Sequence, residues 1–175
     1  MPRGYGGVPF PEPLAFFLTC TTYGTWLPGD KRGWVRRGQG HQPPDPSVEL
    51  DALARMGEGA CRLDEQERRL VTATIENHCA RRGWVTHAIN CRSNHVHVVL
   101  TAAARPAEVR RQLKAWTSRA LGAHERERAV GRDVAPKPFR RRWWSERGST
   151  RYLNDEAGLE AAILYVRDGQ KTRRR

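Results

Sequence analysis

Two strand-like runs separated by only three polar residues restrict the fold of this chain more than any other feature. Trp84 to Cys91 (WVTHAINC) and His95 to Thr101 (HVHVVLT) are rich in β-branched and apolar residues. The residues between them, Arg92–Ser93–Asn94, form a short polar turn. Strands joined by so short a connection pair antiparallel as a β-hairpin. The sheet of this protein is therefore predicted to contain an antiparallel hairpin.

The rest of the chain supplies further strands and three helices. LAFFLTCTT (Leu14 to Thr22) is a continuous apolar and β-branched run and predicts a buried strand. Apolar residues at helical spacing predict helices over about 64–82, from Pro106 onward and over about 154–169. RRWWS and GSTRYL predict one strand or an irregular hairpin. The order β-α-β-β-α-β-α favours an α+β fold, one antiparallel sheet with helices packed on one face.

The chain is predicted to form one domain with a long insertion. We expect an irregular Gly/Pro-rich leader over 1–13, a single domain over 14–170 and a basic tail over 171–175. The insertion, at about 23–62, is rich in glycine and proline. A connection of that length is usually either functional or disordered.

The charge of the chain favours a nucleic-acid partner. Thirty-one Lys and Arg residues against nineteen Asp and Glu residues give a net charge of +12, which is typical of proteins that bind a polyanion. A merely solvated basic surface is the alternative. No apolar run approaches the length of a membrane span, and no signal-peptide pattern is present, so we expect a cytoplasmic, nucleoid-associated protein. The four cysteines form no CxxC pair, which argues against a zinc ribbon.

Two histidines form a candidate metal site. Because side chains two apart on a strand point to the same face, His95 and His97 are predicted to be neighbours. They would give a metal ion two nitrogen ligands, although such a pair fits satisfied surface histidines as well. Tyr165 lies 68 residues after His97, on the last predicted helix. The other tyrosines (Tyr5, Tyr23 and Tyr152) are explained more simply by packing or base stacking.

Four segments, in order, give the chain a specific resemblance. They are FFLTCTTYGTWLPGD, HAINCRSNHVHVVLTA, WWSERGSTRYL and LYVRDGQ, and together they extend from Phe16 to Gln170. With them the chain resembles the HUH-type single-tyrosine transposases, and most of all the REP-associated tyrosine transposases. The resemblance implies a ferredoxin-like HUH endonuclease fold, with the histidines on a central strand and the tyrosine helix lying across the sheet.

The resemblance also implies an activity. The chain would be a metal-dependent DNA transposase, an endonuclease and strand transferase that acts on single-stranded or hairpin DNA. Tyr165 would attack the scissile phosphate and leave a 5′-phosphotyrosine and a free 3′-hydroxyl. His95 and His97 would hold Mg²⁺ or Mn²⁺. Relatives of this kind act as monomers or as homodimers, and the sequence leaves that choice open, together with the target sequence.

The third metal ligand has two candidates. Related enzymes supply a polar side chain one turn after the tyrosine, but that position here is Gly169. On an ideal α-helix Asp168 lies about 60° from Tyr165 and Gln170 about 140° away. Geometry therefore favours Asp168, whereas the family pattern favours Gln170. We predict Gln170 and keep Asp168 as the alternative.

Aromatic and basic residues predict the contacts with DNA. Single strands bind in basic grooves that carry aromatic stacking platforms. The residues predicted to serve in this way are Trp26, Lys31, Arg32, Arg140, Arg141, Arg142, Trp143 and Arg147. Neighbouring residues on a strand point to opposite faces, so one of Trp143 and Trp144 is expected in the core. Trp84 and Trp116 are expected there as well.

Two other functions fit the same residues. A metal phosphodiesterase could use the histidines with an activated water, and its cleavage would survive Tyr165→Phe. A non-enzymatic DNA-binding regulator could keep the fold, and it would form no covalent adduct with DNA. A pure DNA binder has no need of the histidine pair and the tyrosine, which favours the enzyme.

Overall fold

The computed structural model describes residues 12–36, 38–130 and 138–169, with six strands and four helices among them. The strands are β1 (Ala15–Thr21), β2 (Trp34–Arg36), β3 (Gly40–Gln42), β4 (Val85–Cys91), β5 (His95–Thr101) and β6 (Ser149–Leu153). The helices are α1 (Pro46–Ala54), α2 (Glu65–Arg81), α3 (Pro106–Ala129) and α4 (Glu156–Leu164). A π-helical turn, Tyr165–Gly169, continues directly from α4.

Four of the strands form one antiparallel sheet in the order β4-β5-β1-β6. Helix α2 connects β1 to β4, and helix α3 connects β5 to β6. This is the βαββαβ arrangement of a ferredoxin-like fold. The predicted α+β class, the antiparallel sheet and the β4–β5 hairpin are confirmed. In the described part of the chain, no helix has the length and apolarity that crossing a lipid bilayer requires.

The sheet is covered on both faces. Helices α2 and α3 pack on one face against alternate residues of the central strands, among them Leu18 and Val98. Helix α4 packs on the other face, where Val166 of the π-helical turn and Val99 of β5 are buried. The expectation of helices on one face thus holds for α2 and α3 and needs correction for α4. The reason is that β5 carries apolar residues on both of its faces, as a strand between two layers does.

The start of α2 follows from two acidic residues. The Asp64 carboxylate accepts a hydrogen bond from the Glu67 amide at 2.8 Å, and the Glu67 carboxylate accepts one from the Asp64 amide at 2.8 Å. This capping box satisfies amides that have no partner within the helix. The predicted helix start is confirmed.

The insertion between β1 and α2 contains regular structure. Strands β2 and β3 form a small antiparallel hairpin, and α1 follows them. The two ends of the insertion are joined, since the Cys61 amide donates to the Tyr23 carbonyl at 2.7 Å. Gly33 has a φ of +82°, and a Cβ there would overlap the His41 ring. Glycine adopts this φ readily and has no Cβ, so it allows the tight turn and the close approach of the His41 ring.

The segment before β6 is held against β1 without being a strand. Trp144 makes a single bridge to Thr22, and regular pairing with β1 begins at Ser149. A Cβ on Gly148 would overlap the Thr19 carbonyl oxygen, so glycine allows the close approach. The Lys114 ammonium donates to the carbonyls of residues 145, 146 and 147. Of the two segments that predicted a strand or hairpin, GSTRYL supplies the strand.

Candidate metal and tyrosine site

His95 and His97 lie side by side on β5, on the face of the sheet that α4 covers. Their ring centroids are 4.6 Å apart. The side chain of His97 is buried, with 8% of the residue exposed, and His95 is half-buried. Because β5 has β4 on one side and β1 on the other, both imidazoles stand in the middle of the sheet and not at an edge.

Each imidazole is oriented by a hydrogen bond at Nδ1. Thr19, which is the register partner of His97 on β1, places its Oγ1 2.8 Å from Nδ1 of His97. The Asn94 side-chain oxygen lies 2.7 Å from Nδ1 of His95. A ring whose Nδ1 donates a hydrogen bond presents Nε2 to a metal, and such partners set the ring's tautomer and direction.

The protonation state of His97 also suits metal binding. The pKa of His97 is lowered to about 4, mainly by burial and to a lesser extent by the nearby charges of His95 and Arg92. A histidine whose pKa lies well below 7 is neutral at neutral pH. Since only the neutral imidazole has a lone pair to offer a metal, this ring needs no deprotonation to act as a ligand.

The described residues offer a divalent ion two protein ligands, His95 and His97. Two imidazoles are available, and within residues 12–36, 38–130 and 138–169 no group of three His, Cys, Asp or Glu side chains could hold a metal. Asp168 therefore does not complete such a group with the histidines. Gln170 lies outside the described residues. Imidazole ligation suits Mn²⁺ better than Mg²⁺, which prefers oxygen, and the remaining positions suit phosphate oxygens and water.

Tyr165 begins the turn that follows α4, the helix that covers the histidine face of the sheet, and its ring contacts His97. Its ring centroid is 5.9 Å from that of His97 and 5.9 Å from that of Phe17 on β1. Phe17 also contacts His97, at 5.2 Å between centroids. The contacts with His97 and Phe17 fix the position of the Tyr165 ring, while 45% of the residue is exposed. An exposed hydroxyl-bearing ring beside two imidazoles can meet an incoming phosphate.

The π-helical turn connects the tyrosine to the strands. Val166, directly after Tyr165, is fully buried, and its carbonyl accepts a hydrogen bond from Nδ2 of Asn90 at 2.8 Å. Asn90 is the register partner of His97 on β4. The amide of Asn90 thus joins the turn that carries Tyr165 to the strands that carry the histidines.

The same turn changes the comparison of the third-ligand candidates. The angles that favoured Asp168 over Gln170 assume an α-helix, but residues Tyr165–Gly169 are π-helical. A π-helix joins residues five apart instead of four, and single π-helical turns often occur at functional sites. The α-helical angles therefore do not apply after Tyr165, and they do not favour Asp168 over Gln170.

The predicted DNA contacts in the insertion are at the surface. Trp26 and Lys31 are exposed, and the guanidinium of Arg32 lies 5.4 Å from the Trp26 ring centroid. The side chains of Trp26 and Lys31 are therefore accessible to a ligand. Arg141, Arg142 and Arg147, in the segment before β6, are exposed as well.

Two of the predicted DNA contacts point inward. Trp143 is 6% exposed and belongs to the hydrophobic core, so the prediction of a stacking platform there is wrong. Arg140 is half-buried, with Nη1 donating to the Gly59 carbonyl at 2.9 Å and lying 3.7 Å from the Glu58 carboxylate. Its guanidinium binds the insertion to the rest of the chain, which leaves less of it for DNA.

Sequence reasoning missed Phe17, Thr19, Asn90 and Asn94 as parts of this site. The alternation in FFLTCTT separates Phe17 and Thr19 from Phe16 and Leu18, so a polar and an aromatic residue share one face. That pattern could have singled them out. Their meeting with His97 depends on how β1 is aligned with β5, which local patterns do not define.

Comparisons with known proteins support the fold. A scan against models of protein families finds no match, and a search of curated proteins finds none either. Among solved structures, a REP-associated tyrosine transposase bound to a REP hairpin matches with a TM-score of 0.51 and 10% identity, over 94% of this chain and 70% of that one. A protein from Deinococcus radiodurans R1, described as a candidate transposase, matches with a TM-score of 0.41 and 14% identity, over 96% of this chain and 97% of that one. The first match shows that the chain has the fold of that transposase.

Proposed function

We propose that this chain is a metal-dependent single-tyrosine DNA transposase that cuts and rejoins single-stranded or hairpin DNA at the nucleoid. The observation that carries the proposal is the position of Tyr165, whose ring lies 5.9 Å from His97 and next to the histidine pair. The fold shared with a transposase bound to a DNA hairpin supports it. The net charge of +12 supports a DNA partner.

In the proposed reaction Tyr165 is a covalent nucleophile. Its hydroxyl oxygen attacks the phosphorus, the bond between phosphorus and the 3′ oxygen breaks, and a 5′-phosphotyrosine forms. The phenol proton is transferred to the leaving oxygen, which becomes a free 3′-hydroxyl. Since one phosphodiester replaces another, the reverse attack by a 3′-hydroxyl rejoins the strand without an external energy source.

The other residues would hold the metal and position the phosphate. His95 and His97 would bind Mg²⁺ or Mn²⁺ through Nε2, with Gln170 as the proposed third ligand. The metal would polarise the phosphate and offset the charge that builds up in the transition state. Thr19 and Asn94 would keep the imidazoles oriented through Nδ1. Phe17 would shield the buried ring of His97 from water.

End-labelled DNA tests the proposal. A hairpin with single-stranded flanks, labelled at its 5′ end in one sample and its 3′ end in another, is incubated with the protein and Mn²⁺ and separated on a denaturing gel. We expect the 3′ label to become attached to protein, and the 5′ label to appear on a shorter free fragment. A chelator should prevent both.

Each competing function gives a different result in that assay. If both labels appear on free fragments, water is the nucleophile and the chain is a metal phosphodiesterase. If the DNA stays intact but shifts on a native gel equally with and without metal, the chain is a DNA-binding regulator. Either result overturns the proposal.

Asn90 is expected to be a positioning residue for Tyr165. Asn90→Ala removes the hydrogen bond to the Val166 carbonyl, so the π-helical turn is no longer joined to β4. Because small misplacements of a reacting group are costly, adduct formation should slow by roughly 10- to 100-fold. The measurement is the initial rate of adduct formation, at a temperature where circular dichroism shows the variant to be folded.

Gln112→Ala is the matched control for Asn90. The Gln112 amide also bonds a side chain across the fold, His78 at 2.9 Å, but it lies on the opposite face of the sheet. We expect its rate to stay within about twofold of the wild type. Equal rates for the two variants would show that Asn90 does not position the tyrosine.

A further inference from the structure

Trp26, in the insertion, has an aromatic ring that is held at one edge and open elsewhere. The indole nitrogen donates a hydrogen bond to the Gly33 carbonyl at 2.7 Å. Yet 45% of the residue is exposed, although tryptophan is highly buried on average. The ring therefore has a defined position and an accessible surface.

Arg32 lies against this ring and is itself held in place. Its Nε and Nη2 donate to the Asp30 carboxylate at 2.8 and 2.6 Å, and Nη2 also donates to the Thr25 carbonyl at 2.8 Å. The hydrogen bond from Arg32 is the main cause that lowers the pKa of Asp30, so the carboxylate stays ionised at neutral pH. Because the guanidinium and the ring are already in place, a ligand would bind with little loss of side-chain entropy.

This Trp26–Arg32 pair is connected to the histidine site by a short series of contacts. The Thr25 hydroxyl, one residue before Trp26, lies 3.0 Å from the Thr22 carbonyl oxygen and 3.3 Å from the Asn94 carbonyl oxygen. The Thr22 amide donates to the same carbonyl at 2.9 Å. The side chain of Asn94 in turn bonds Nδ1 of His95. The pair thus stands at the end of the sheet where the histidines lie.

The charge around the pair suits a polyanion. Over residues 23–42 the chain has four basic residues and one acidic residue, Asp30, which is bound to Arg32. Lys31 is exposed, and Arg36 lies 5.8 Å over the ring of Trp34, so a second aromatic–arginine pair follows the first. Stacking on an aromatic face combined with neighbouring cations is how proteins bind unpaired nucleotides of any sequence. An acidic protein would satisfy the cations but would not require an open ring.

We propose that the exposed surface of Trp26 stacks on a base of the unpaired strand that flanks the cleavage site, with Lys31 near the phosphates of that strand. The inference rests on the proposed function, since it takes the substrate to be single-stranded next to the site. It assigns the insertion a task of its own: holding the flank so that the scissile phosphate stays beside the histidines.

Binding of intact and abasic DNA tests this assignment in a protein that does not cut. A Tyr165→Phe protein is titrated with fluorescent hairpins whose single-stranded flanks carry either normal bases or abasic sites, and anisotropy gives each Kd. Abasic flanks should weaken binding about tenfold, because stacking is lost. Adding Trp26→Ala should weaken binding of intact DNA by a similar factor and remove the difference between the two DNAs.

Two further variants separate stacking from a structural role. Trp26→Phe keeps an aromatic face but loses the hydrogen bond to Gly33, so it should retain most of the preference for intact flanks. Trp116→Ala is the matched control, because Trp116 is 41% exposed and has Arg119 at 5.1 Å but lies on α3. The preference of this variant for intact over abasic flanks should equal that of the Tyr165→Phe protein from which it is made.

A preference for intact flanks that persists in Trp26→Ala overturns the assignment. So does an equal loss for both DNAs, which would mean that Trp26 only supports the loop. Because the assay needs no cleavage, its outcome is separate from that of the end-labelling experiment. A Trp26-dependent preference without any covalent adduct would retain the binding surface and reject the transposase.

Discussion

Tyr165→Phe is expected to reduce the covalent protein–DNA product by at least about a thousandfold, the usual scale for loss of a nucleophile. Phenylalanine keeps the ring that contacts Phe17 and His97 and removes only the hydroxyl. The fold and DNA binding should therefore be unchanged. The measurement is the yield of protein-bound 3′ label on a denaturing gel, with native gel shifts as the check on binding.

Tyr152→Phe is the matched control for this substitution. Tyr152 is also exposed, but it lies on β6 and contacts Phe16, on the side of the sheet that α2 and α3 cover. Its adduct yield should stay within about twofold of the wild type. If Tyr165→Phe retained the adduct and Tyr152→Phe lost it, the nucleophile would be Tyr152 and the proposed site would be wrong.

His97→Gln is expected to lower the rate of adduct formation by about 100- to 1000-fold in Mn²⁺, a loss of several kcal/mol of transition-state stabilisation. Glutamine has a similar volume but lacks the imidazole nitrogen, so the core should tolerate it better than alanine. His95→Ala, at the half-buried position, should have an effect of the same order. The rate is measured over a range of Mn²⁺ concentrations.

Metal binding can be read independently of activity. A ligand that binds only the folded protein raises its melting temperature. Mn²⁺ should therefore raise the Tm of the wild type and have little effect on His97→Gln. His87→Ala is the control, since His87 lies on β4 and bonds the Thr101 hydroxyl at 2.9 Å. A Mn²⁺-induced rise in Tm that survives in both His97→Gln and His95→Ala would place the metal elsewhere.

Local chemistry made much of the fold predictable. The three-residue turn between β4 and β5 determined their pairing, and Asp64 with Glu67 determined where α2 begins. The spacing of His95 and His97 placed both rings on one face for the same local reason. None of these features depends on distant parts of the chain.

The contacts that complete the site depend on long-range alignment. Thr19 and Asn90 meet His97 only because of the register of β1 and β4 with β5, and register is a property of the assembled sheet. The π-helical turn after Tyr165 is likewise invisible to a pattern based on α-helical spacing. These are the parts that sequence reasoning left out.

The tryptophans show a different limit. Trp84 is buried as expected, but Trp116 was expected in the core and is exposed, stacked on His78 at the border of α2 and α3. A residue at the border of an apolar helix face can belong to either side, and its spacing does not decide which. Trp143 lies in an irregular segment, where no periodicity indicates which side chains are buried.

The joined ends of the insertion bear on how a fold like this can diversify. Tyr23 and Cys61 are bound to each other by a backbone hydrogen bond, so the intervening residues leave the sheet and return to almost the same point. The entropic cost of closing such a loop rises only slowly with its length. Residues between those two anchors can therefore be lengthened, shortened or exchanged while β1 and β5 keep their alignment. Under the role proposed for Trp26, preference for a DNA flank can evolve in this part of the chain separately from the proposed chemistry. A chimera made at Tyr23 and Cys61 would then transfer the flank preference and leave the histidine and tyrosine site unchanged.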